Sequence, residues 1–398
     1  MTGGGYAGRT LDILARDRAR FGAGIVTELP AVARDAGAGA VFVVTDPGVV
    51  AAGLAARVVD LLADQGLRVG LFDAVEPNPG TRTVEAASER LRALGGRAAD
   101  SGVAVVGLGG GSAMDTAKVA ALHAANERGV MSLGYHDETL AAGLPVIAIP
   151  TTAGTGSETN TYGVITDEAA GRKGYPGHPS VLPRVALLDP ELTLGLPPAV
   201  TAATGVDALT HALESLLSRN PNPFAEAIAL GVVRTVAEWL PRAVVDGADL
   251  EARSRMLLAA HYAGVGQQSG TGVGAVHAIG HALGTRGRLA HGTALATVLP
   301  EVLASYLPVR RGELALVAVA LGVAHPADPP EPAARAAIDA VEGLLRRVGQ
   351  RRTLRELGVG VDLEPAIVAD AVDDVAIANS PRIPAADEIA GILAQVRG

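Results

Sequence analysis

Two pairs of side chains four residues apart are the groups in this sequence best able to do chemistry. Asp207 and His211 form one pair, His277 and His281 the other, and His291 follows ten positions later. On an α-helix, positions i and i+4 lie one above the other, so each pair presents its polar atoms on a single face. The residues around them are mostly Ala, Gly and Leu, as in DALTHALES and HAIGHALG. A buried carboxylate or imidazole without a partner is costly, so clustering in apolar company points to a shared partner. Asp together with imidazoles is an oxygen and nitrogen donor set suited to Fe(II), Zn(II) or Mn(II). The competing reading is histidines that merely pack, and His123, His136, His261 and His325, which lack such spacing, are read that way. The chain has no cysteine, which excludes thiolate metal sites, disulfides, iron–sulfur clusters and cysteine nucleophiles.

A second signal lies upstream. The apolar run 103–108 leads into Gly109, Gly110, Gly111 and Ser112, followed by a helical stretch. Glycines let backbone approach a ligand closely and adopt positive φ, and Ser112 stands where an N-cap belongs. The free amides and positive dipole of a helix start suit a pyrophosphate; the alternative is a tight strand-to-helix turn without ligand. Asp46 ends the run AVFVVT. A carboxylate there can accept hydrogen bonds from an adenosine ribose and repel a 2′-phosphate, favouring NAD over NADP. Before Pro47 it can equally be a simple turn former. Residues 150–158 (PTTAGTGSE) follow another apolar run and offer hydroxyls and glycines to phosphate or nicotinamide, or form a polar turn.

These groups need a scaffold. Short runs at 40–45, 67–72, 103–108, 145–149 and 185–188 are rich in Val, Ile and Leu and read as strands. They alternate with helical stretches at 49–65 (stopped by Gly66), 83–94 and from about Ser112. Continuous apolar strands separated by helices predict a doubly wound, mostly parallel α/β sheet built from βαβ units. After about residue 197 the β-branched clusters disappear. The expectation is an α/β dinucleotide-binding domain over 1–197, a junction at 194–198 (LGLPP) and an all-helical metal-binding domain over 198–398, with an exposed loop at 325–332.

Bulk properties remove other classes. A net charge of -9 argues against nucleic acid, and 3% aromatic content against base-stacking platforms. Residues 1–10 are glycine-rich, with no charged segment leading into an apolar run, so no secretory signal is read there. No uninterrupted apolar stretch reaches the roughly 18–20 residues of a spanning helix, so no membrane partner is expected and the cytoplasm is the expected location.

In their order and spacing, residues 109–118 (GGGSAMDTAK), 150–158 (PTTAGTGSE), 164–167 (VITD), 207–215 (DALTHALES) and 277–292 (HAIGHALGTRGRLAHG) resemble the iron-containing, group III alcohol dehydrogenases across nearly the whole chain. The resemblance implies metal ligation by Asp207, His211, His277 and His291, with Fe(II) the expected ion and Zn(II) or another divalent metal an alternative. It implies that His281 is a non-ligand group near nicotinamide and substrate that relays or positions a proton. Gly109, Gly110, Gly111 and Ser112 match the pyrophosphate loop, and Thr151, Thr152 and Thr155 the cofactor-lining hydroxyls. Lys173 matches a cofactor-contacting lysine, and Asp46 the acidic position that goes with NAD(H). Asp115 and Lys118, and the C-terminal Asn379, Pro381 and Arg382, are read as structural. The implied reaction is hydride transfer between a small primary alcohol or aldehyde and NAD(H), with the metal as Lewis acid, in a homodimer or higher homo-oligomer, the natural site being the cleft between the domains.

The sequence departs from the family where substrate is expected. Asn160 and Tyr162 are more polar than usual after the GSE motif. Gln267 and Gln268 stand where an aromatic is common, and Arg286 and Arg288 where apolar residues are common. These suggest a polar or anionic aldehyde such as phosphonoacetaldehyde, unless both arginines are surface residues. His178, where serine is common, has no reading from sequence. The rival readings are a glycerol dehydrogenase or dehydroquinate synthase type of enzyme, a maleylacetate reductase, and a non-catalytic nucleotide-binding assembly protein.

Overall fold

The structure is a computed structural model and describes residues 18–398; the reading of residues 1–10 lies outside them. The strands are β1 (Ala19–Phe21), β2 (Ala40–Val44), β3 (Arg68–Phe72), β4 (Val103–Gly109), β5 (Val146–Pro150), β6 (Ile165–Asp167), β7 (Arg172–Gly174) and β8 (Val185–Leu188). The helices of this part are α1 (Leu29–Asp35), α2 (Pro47–Ala51), α3 (Leu54–Ala63), α4 (Thr81–Ala93) and α5 (Gly111–Ala124). Every residue of β2, β4, β5 and β8 is buried, as expected of parallel strands covered on both faces. Six strands form one sheet in the order β1-β8-β5-β4-β2-β3, with every pair parallel. Alternate residues feed two cores: Phe42 and Val105 enter one, Val43 and Val106 the other.

The order of winding reverses in the middle of this sheet. The chain leaves β2 outward to β3 on one side and leaves β4 outward to β5 on the other. In open α/β sheets, ligands bind beyond the carboxyl ends of the strands at such a switch point. Here those ends carry Asp46 and the 109–112 loop.

The α/β part departs from the sequence expectations at four places. The helix expected over 49–65 is two helices, because Gly53 takes a left-handed conformation (φ 77) between them. The helix expected from about Ser112 begins at Gly111 with Gly110 as its cap, so Ser112 lies inside the first turn instead of capping it. The strand β1, only three exposed residues long, was not expected. Neither was the antiparallel hairpin β6–β7, whose three-residue strands are too short to show a period.

The described residues divide into two compact units between Leu196 and Pro197. The second is helical: α6 (Pro198–Leu217), α7 (Pro223–Val245), α8 (Leu250–Gln268), α9 (Ala275–Arg286), α10 (His291–Ala320), α11 (Pro330–Arg347), α12 (Glu364–Asp373) and α13 (Ala386–Gln395). No strand occurs among its described residues. Small residues let its helices approach closely. A Cβ on Gly292 of α10 would lie 2.0 Å from the Ala203 carbonyl oxygen of α6, and one on Gly280 of α9 2.4 Å from Leu295 of α10. These contacts bring the start of α10 against α6 one turn before Asp207. By length and composition α10 alone among the described helices could cross a bilayer, but 61% of its apolar window is buried inside the protein, as in a core helix. The exposed loop expected at 325–332 ends earlier, because α11 begins at Pro330, a favoured first helical residue.

Candidate metal centre and nucleotide loop

Helix α6 carries Asp207 and His211, α9 carries His277 and His281, and His291 is the first residue of α10. The Oδ1 of Asp207 lies 3.6 Å from His211 Nε2, 3.5 Å from His277 Nε2 and 3.4 Å from His291 Nε2. These gaps exceed the roughly 2.7–3.2 Å of an N–H···O hydrogen bond. They are close to the edge, about 3.4 Å, of a tetrahedron of ligands around an ion with bonds of about 2.1 Å; the ligand atoms of Asp207, His211 and His277 all lie within 4.8 Å of one another, and His291 stands outside that group. Asp207 Oδ1 and His277 Nε2 are buried and have no hydrogen-bond partner, although Asp207 is only 2% exposed. Buried orphan polar atoms that face one another are what a missing ion leaves behind. The residues present therefore fit a divalent metal.

The electrostatics of Asp207 and His211 agree. Burial opposes the charge on Asp207, but the surrounding imidazoles outweigh it and hold the carboxyl well below its usual range. Burial pushes His211 down to about 4, so it is neutral and able to ligate. Three of the four groups are buried, whereas the His291 side chain is 35% exposed, so the cluster opens on that side.

Sequence reasoning missed two carboxylates behind the histidines. Glu214 lies on the same α6 face, seven residues after Asp207. Its Oε2 is 2.6 Å from His277 Nδ1 and its Oε1 accepts the Val276 N–H at 2.7 Å. Such partners fix the tautomer of a ligating imidazole and raise its basicity. Burial works against a charge on His277, but Glu214 and Asp207 prevail and raise it to about 9. Glu214→Gln leaves one acceptor oxygen for two N–H groups. Metal affinity should fall roughly 10–100-fold, measured by competition with a chromophoric chelator; wild-type affinity would mean that Glu214 does not orient the ligand. The other carboxylate is Asp374, whose Oδ2 is 2.8 Å from His281 Nδ1. His281 is buried, which pushes its imidazole down to about 4 against the pull of Asp374.

In the α/β unit, Gly109 has φ 148, and a Cβ there would meet Ala113 at 2.8 Å and Asp46 Oδ2 at 3.1 Å. The same construction places Thr152 3.3 Å from Gly110 and Thr155 2.9 Å from Gly111. The structure thus brings together Asp46, the glycines, Thr152 and Thr155. Ser112 lies in the first turn of α5, and Thr151 donates its N–H to the Gly109 carbonyl at 3.0 Å. Asp46 is also a turn former, because its Oδ1 accepts from the amides of Gly48 and Val49 and caps α2. The Thr152 hydroxyl is buried without a hydrogen-bond partner beside Gly110. Lys173, half-buried in β7, donates to Asn78 Oδ1 at 2.8 Å and Thr166 Oγ1 at 3.2 Å, and burial lowers its amine to about 8.

Asp115 and Lys118 hold this loop. Asp115 accepts from the Ser157 hydroxyl and the Val164 amide, while Lys118 donates to the Ser157 carbonyl and to Asn160 Oδ1. Asn160, a candidate substrate residue, therefore has its carbonyl oxygen committed to Lys118 and the Tyr162 amide, inside the scaffold. Tyr162 is half-buried with its ring edge-on to Tyr175, and Gln267 is buried on α8. Arg286 is exposed and makes a bidentate pair with Asp370 at 2.6 and 3.0 Å. Arg288 is exposed, with a positive φ of 54. His178 acquires a role: its Nδ1 caps a short 3₁₀ turn by accepting from the Ser180 amide. Asn379 is structural, bonding the Val273 carbonyl and the Arg219 amide, and Arg382 pairs with Glu388.

Comparison with known proteins gives a consistent identification. Residues 17–190 match the family model for iron-containing alcohol dehydrogenase, and residues 201–396 match that for the C-terminal part of the Fe-containing alcohol dehydrogenase family. The chain is 38% identical over 341 residues to the probable alcohol dehydrogenase EutG of Salmonella typhimurium, covering 86% of this chain and 83% of that one. A solved 1,3-propanediol oxidoreductase superposes with TM-score 0.91 at 32% identity, over 98% of this chain and all of the other (100%). The sulfoacetaldehyde reductase of Bifidobacterium kashiwanohense, solved with NAD+, gives TM-score 0.84 at 28% identity over 98% and 99%. The expected fold, a parallel α/β part followed by a helical part, is the one observed, and the chain belongs to the iron-containing alcohol dehydrogenase family.

Proposed function

We propose that this protein interconverts a small polar primary alcohol and its aldehyde with NAD(H), using one Fe(II) held by Asp207, His211, His277 and His291. The observation that carries this reading is the convergence of three imidazole Nε2 atoms on Asp207 Oδ1 at 3.4–3.6 Å. A divalent ion there supplies Lewis acidity, lowering the pKa of a bound alcohol, and the nicotinamide supplies the hydride acceptor. The protein's own groups do the rest. The orphaned buried atoms of Asp207 and His277 exchange an unsatisfied state for ligation. Glu214 holds the His277 ring, and His281 takes up or returns the proton of the substrate oxygen. The amides beyond Gly109, Gly110, Gly111 and Ser112 at the start of α5 face the pyrophosphate, with Thr151, Thr152, Thr155 and Lys173 lining the cofactor.

Asp46 sets the choice of cofactor. Its carboxylate is fixed by its own cap and turned toward Gly109 at the switch point, where a 2′-phosphate would meet negative charge. Asp46→Ser keeps a capping oxygen and removes the charge. The ratio of kcat/KM for NADPH to that for NADH should rise at least about tenfold, a change of about 1.4 kcal/mol; an unchanged ratio would remove Asp46 from the ribose site.

For the substrate, Arg286 is already neutralised by Asp370, so an anionic group would depend on Arg288. The solved likeness to a sulfoacetaldehyde reductase supports a charged aldehyde, and that to a 1,3-propanediol oxidoreductase supports a neutral polar one. A panel of phosphonoacetaldehyde, 3-hydroxypropanal and butanal with NADH, on protein loaded with Fe(II) or Zn(II), tests the reading. We expect both polar aldehydes to be reduced faster than butanal. Butanal equal to or better than both would refute a polar pocket, and no turnover of any would refute the reaction.

A further inference from the structure

Asp374 and His281 are 93 positions apart in sequence, yet both are buried and joined at 2.8 Å. Asp374 directly follows the last residue of α12 and uses its two oxygens for two different groups: Oδ1 accepts the Ala376 N–H at 2.8 Å, and Oδ2 faces His281 Nδ1. The first bond closes a short 3₁₀ turn and fixes the carboxylate. One turn earlier, Asp370 takes the guanidinium of Arg286, which lies five residues beyond His281 on α9. Helices α9 and α12 pack together, so two acid–base pairs fasten them along one seam. The arrangement at Asp374 repeats that at Glu214, where one oxygen takes the Val276 N–H and the other the Nδ1 of His277.

We propose that Asp374 is a positioning residue for the reaction: by accepting the Nδ1–H of His281, it sets which ring nitrogen carries hydrogen and where the imidazole points. This rests on the role given to His281 under the proposed function. A neutral imidazole has one N–H and one acceptor nitrogen, and the partner of the first decides the identity of the second. With hydrogen on Nδ1, Nε2 is the nitrogen able to accept a proton from the substrate oxygen. The alternative is that Asp374 only caps its turn.

The two roles separate by substitution. A carboxylate has two acceptor oxygens and a carboxamide only one, so Asp374→Asn cannot satisfy both the Ala376 N–H and a His281 Nδ1–H. Asp374→Ser keeps a capping oxygen and removes the partner of His281. In full-length, Zn(II)-loaded protein with ¹⁵N-labelled histidine, and with the His281 signals identified by His281→Gln, the wild type should show hydrogen on Nδ1. Asp374→Asn should shift hydrogen toward Nε2. With 1,3-propanediol and NAD+, both Asp374→Asn and Asp374→Ser should lose roughly 10- to 100-fold in kcat, with KM changed less than about threefold. Asp374→Glu should recover part of the loss. Hydrogen found on Nε2 in the wild type, or wild-type kcat in both the Asn and Ser variants, overturns the proposal and leaves only the cap. A chain that turns over no alcohol or aldehyde defeats the parent reading instead, and the tautomer seen by NMR then upholds or overturns the hold of Asp374 on the His281 ring.

Discussion

Asp207→Asn should yield a folded protein that no longer retains its metal. Asp207 is the only anionic group among the four candidate ligands, and its Oδ1 is the point on which the three imidazoles converge. An amide oxygen of the same shape lacks the charge that balances a divalent ion in a buried site. Metal content, measured by inductively coupled plasma mass spectrometry, should fall from about one ion per chain to below about a tenth, and kcat/KM should fall at least ~10³-fold, about 4 kcal/mol. The fold should survive, because without the ion the wild type already buries a carboxylate that an amide would replace at lower desolvation cost. Thermal denaturation separates the two effects. Added Zn(II) should raise the Tm of the wild type, since an ion at 1,000 times its Kd adds ~4 kcal/mol, and should leave the Tm of Asp207→Asn nearly unchanged. A variant that keeps stoichiometric metal and wild-type turnover would show that the ion sits elsewhere.

Lys118→Met should produce the largest loss of stability away from the metal. Lys118 is 0% exposed, with its ammonium on the Ser157 carbonyl at 2.8 Å, on Asn160 Oδ1, and 3.1 Å from Asp115 Oδ1. Burial lowers its pKa and the Asp115 carboxylate resists that shift. Methionine fills much of the space but leaves the charge of Asp115, itself 8% exposed, without its cation and takes a donor from two oxygens of the 157–160 loop. Breaking a buried pair from one side costs about 3–5 kcal/mol, a large share of the roughly 5–15 kcal/mol that holds a typical domain. The urea midpoint should drop accordingly. NADH affinity should weaken as well if Gly110 and Gly111 face the cofactor as proposed, because the loop that Lys118 ties down continues from Thr152 and Thr155, which lie against those glycines. A loss below about 1 kcal/mol would mean that the ammonium is hydrated, as at a surface pair.

What could be read from the sequence, and what could not, follows from the range of the interactions. Asp207 with His211 and His277 with His281 were legible because helical spacing converts a four-residue interval into a shared face. The parallel strands were legible because burial on both faces leaves continuous Val and Ile runs. Glu214, three residues after His211 on the same face, was legible in principle, but its partner His277 is 63 positions away and sequence spacing does not reveal that contact. Asp374 carries no local signal, since its partner is 93 positions away and the turn it caps has ordinary composition. The break at Gly53 has no distinct sequence signal, because a glycine inside an apolar helical run can be a left-handed stop as readily as a tolerated interior residue. Asn160 and Arg286 show the other limit. Their polarity suggested contact with substrate, yet each has a protein partner, Lys118 in one case and Asp370 in the other, that the sequence alone does not reveal.

X-ray absorption at the metal edge of the Fe(II)- or Zn(II)-loaded wild type, compared with His211, His277 and His291 each changed to Ala, bears on whether these four side chains share one ion. The wild-type spectrum should fit one metal with three imidazole nitrogens and a carboxylate oxygen at roughly 2.0–2.2 Å, and each variant should lose one imidazole from the fit or lose the metal. A spectrum with fewer than three imidazoles in the wild type, or one left unchanged by any of the three substitutions, would contradict a shared ion at Asp207, His211, His277 and His291.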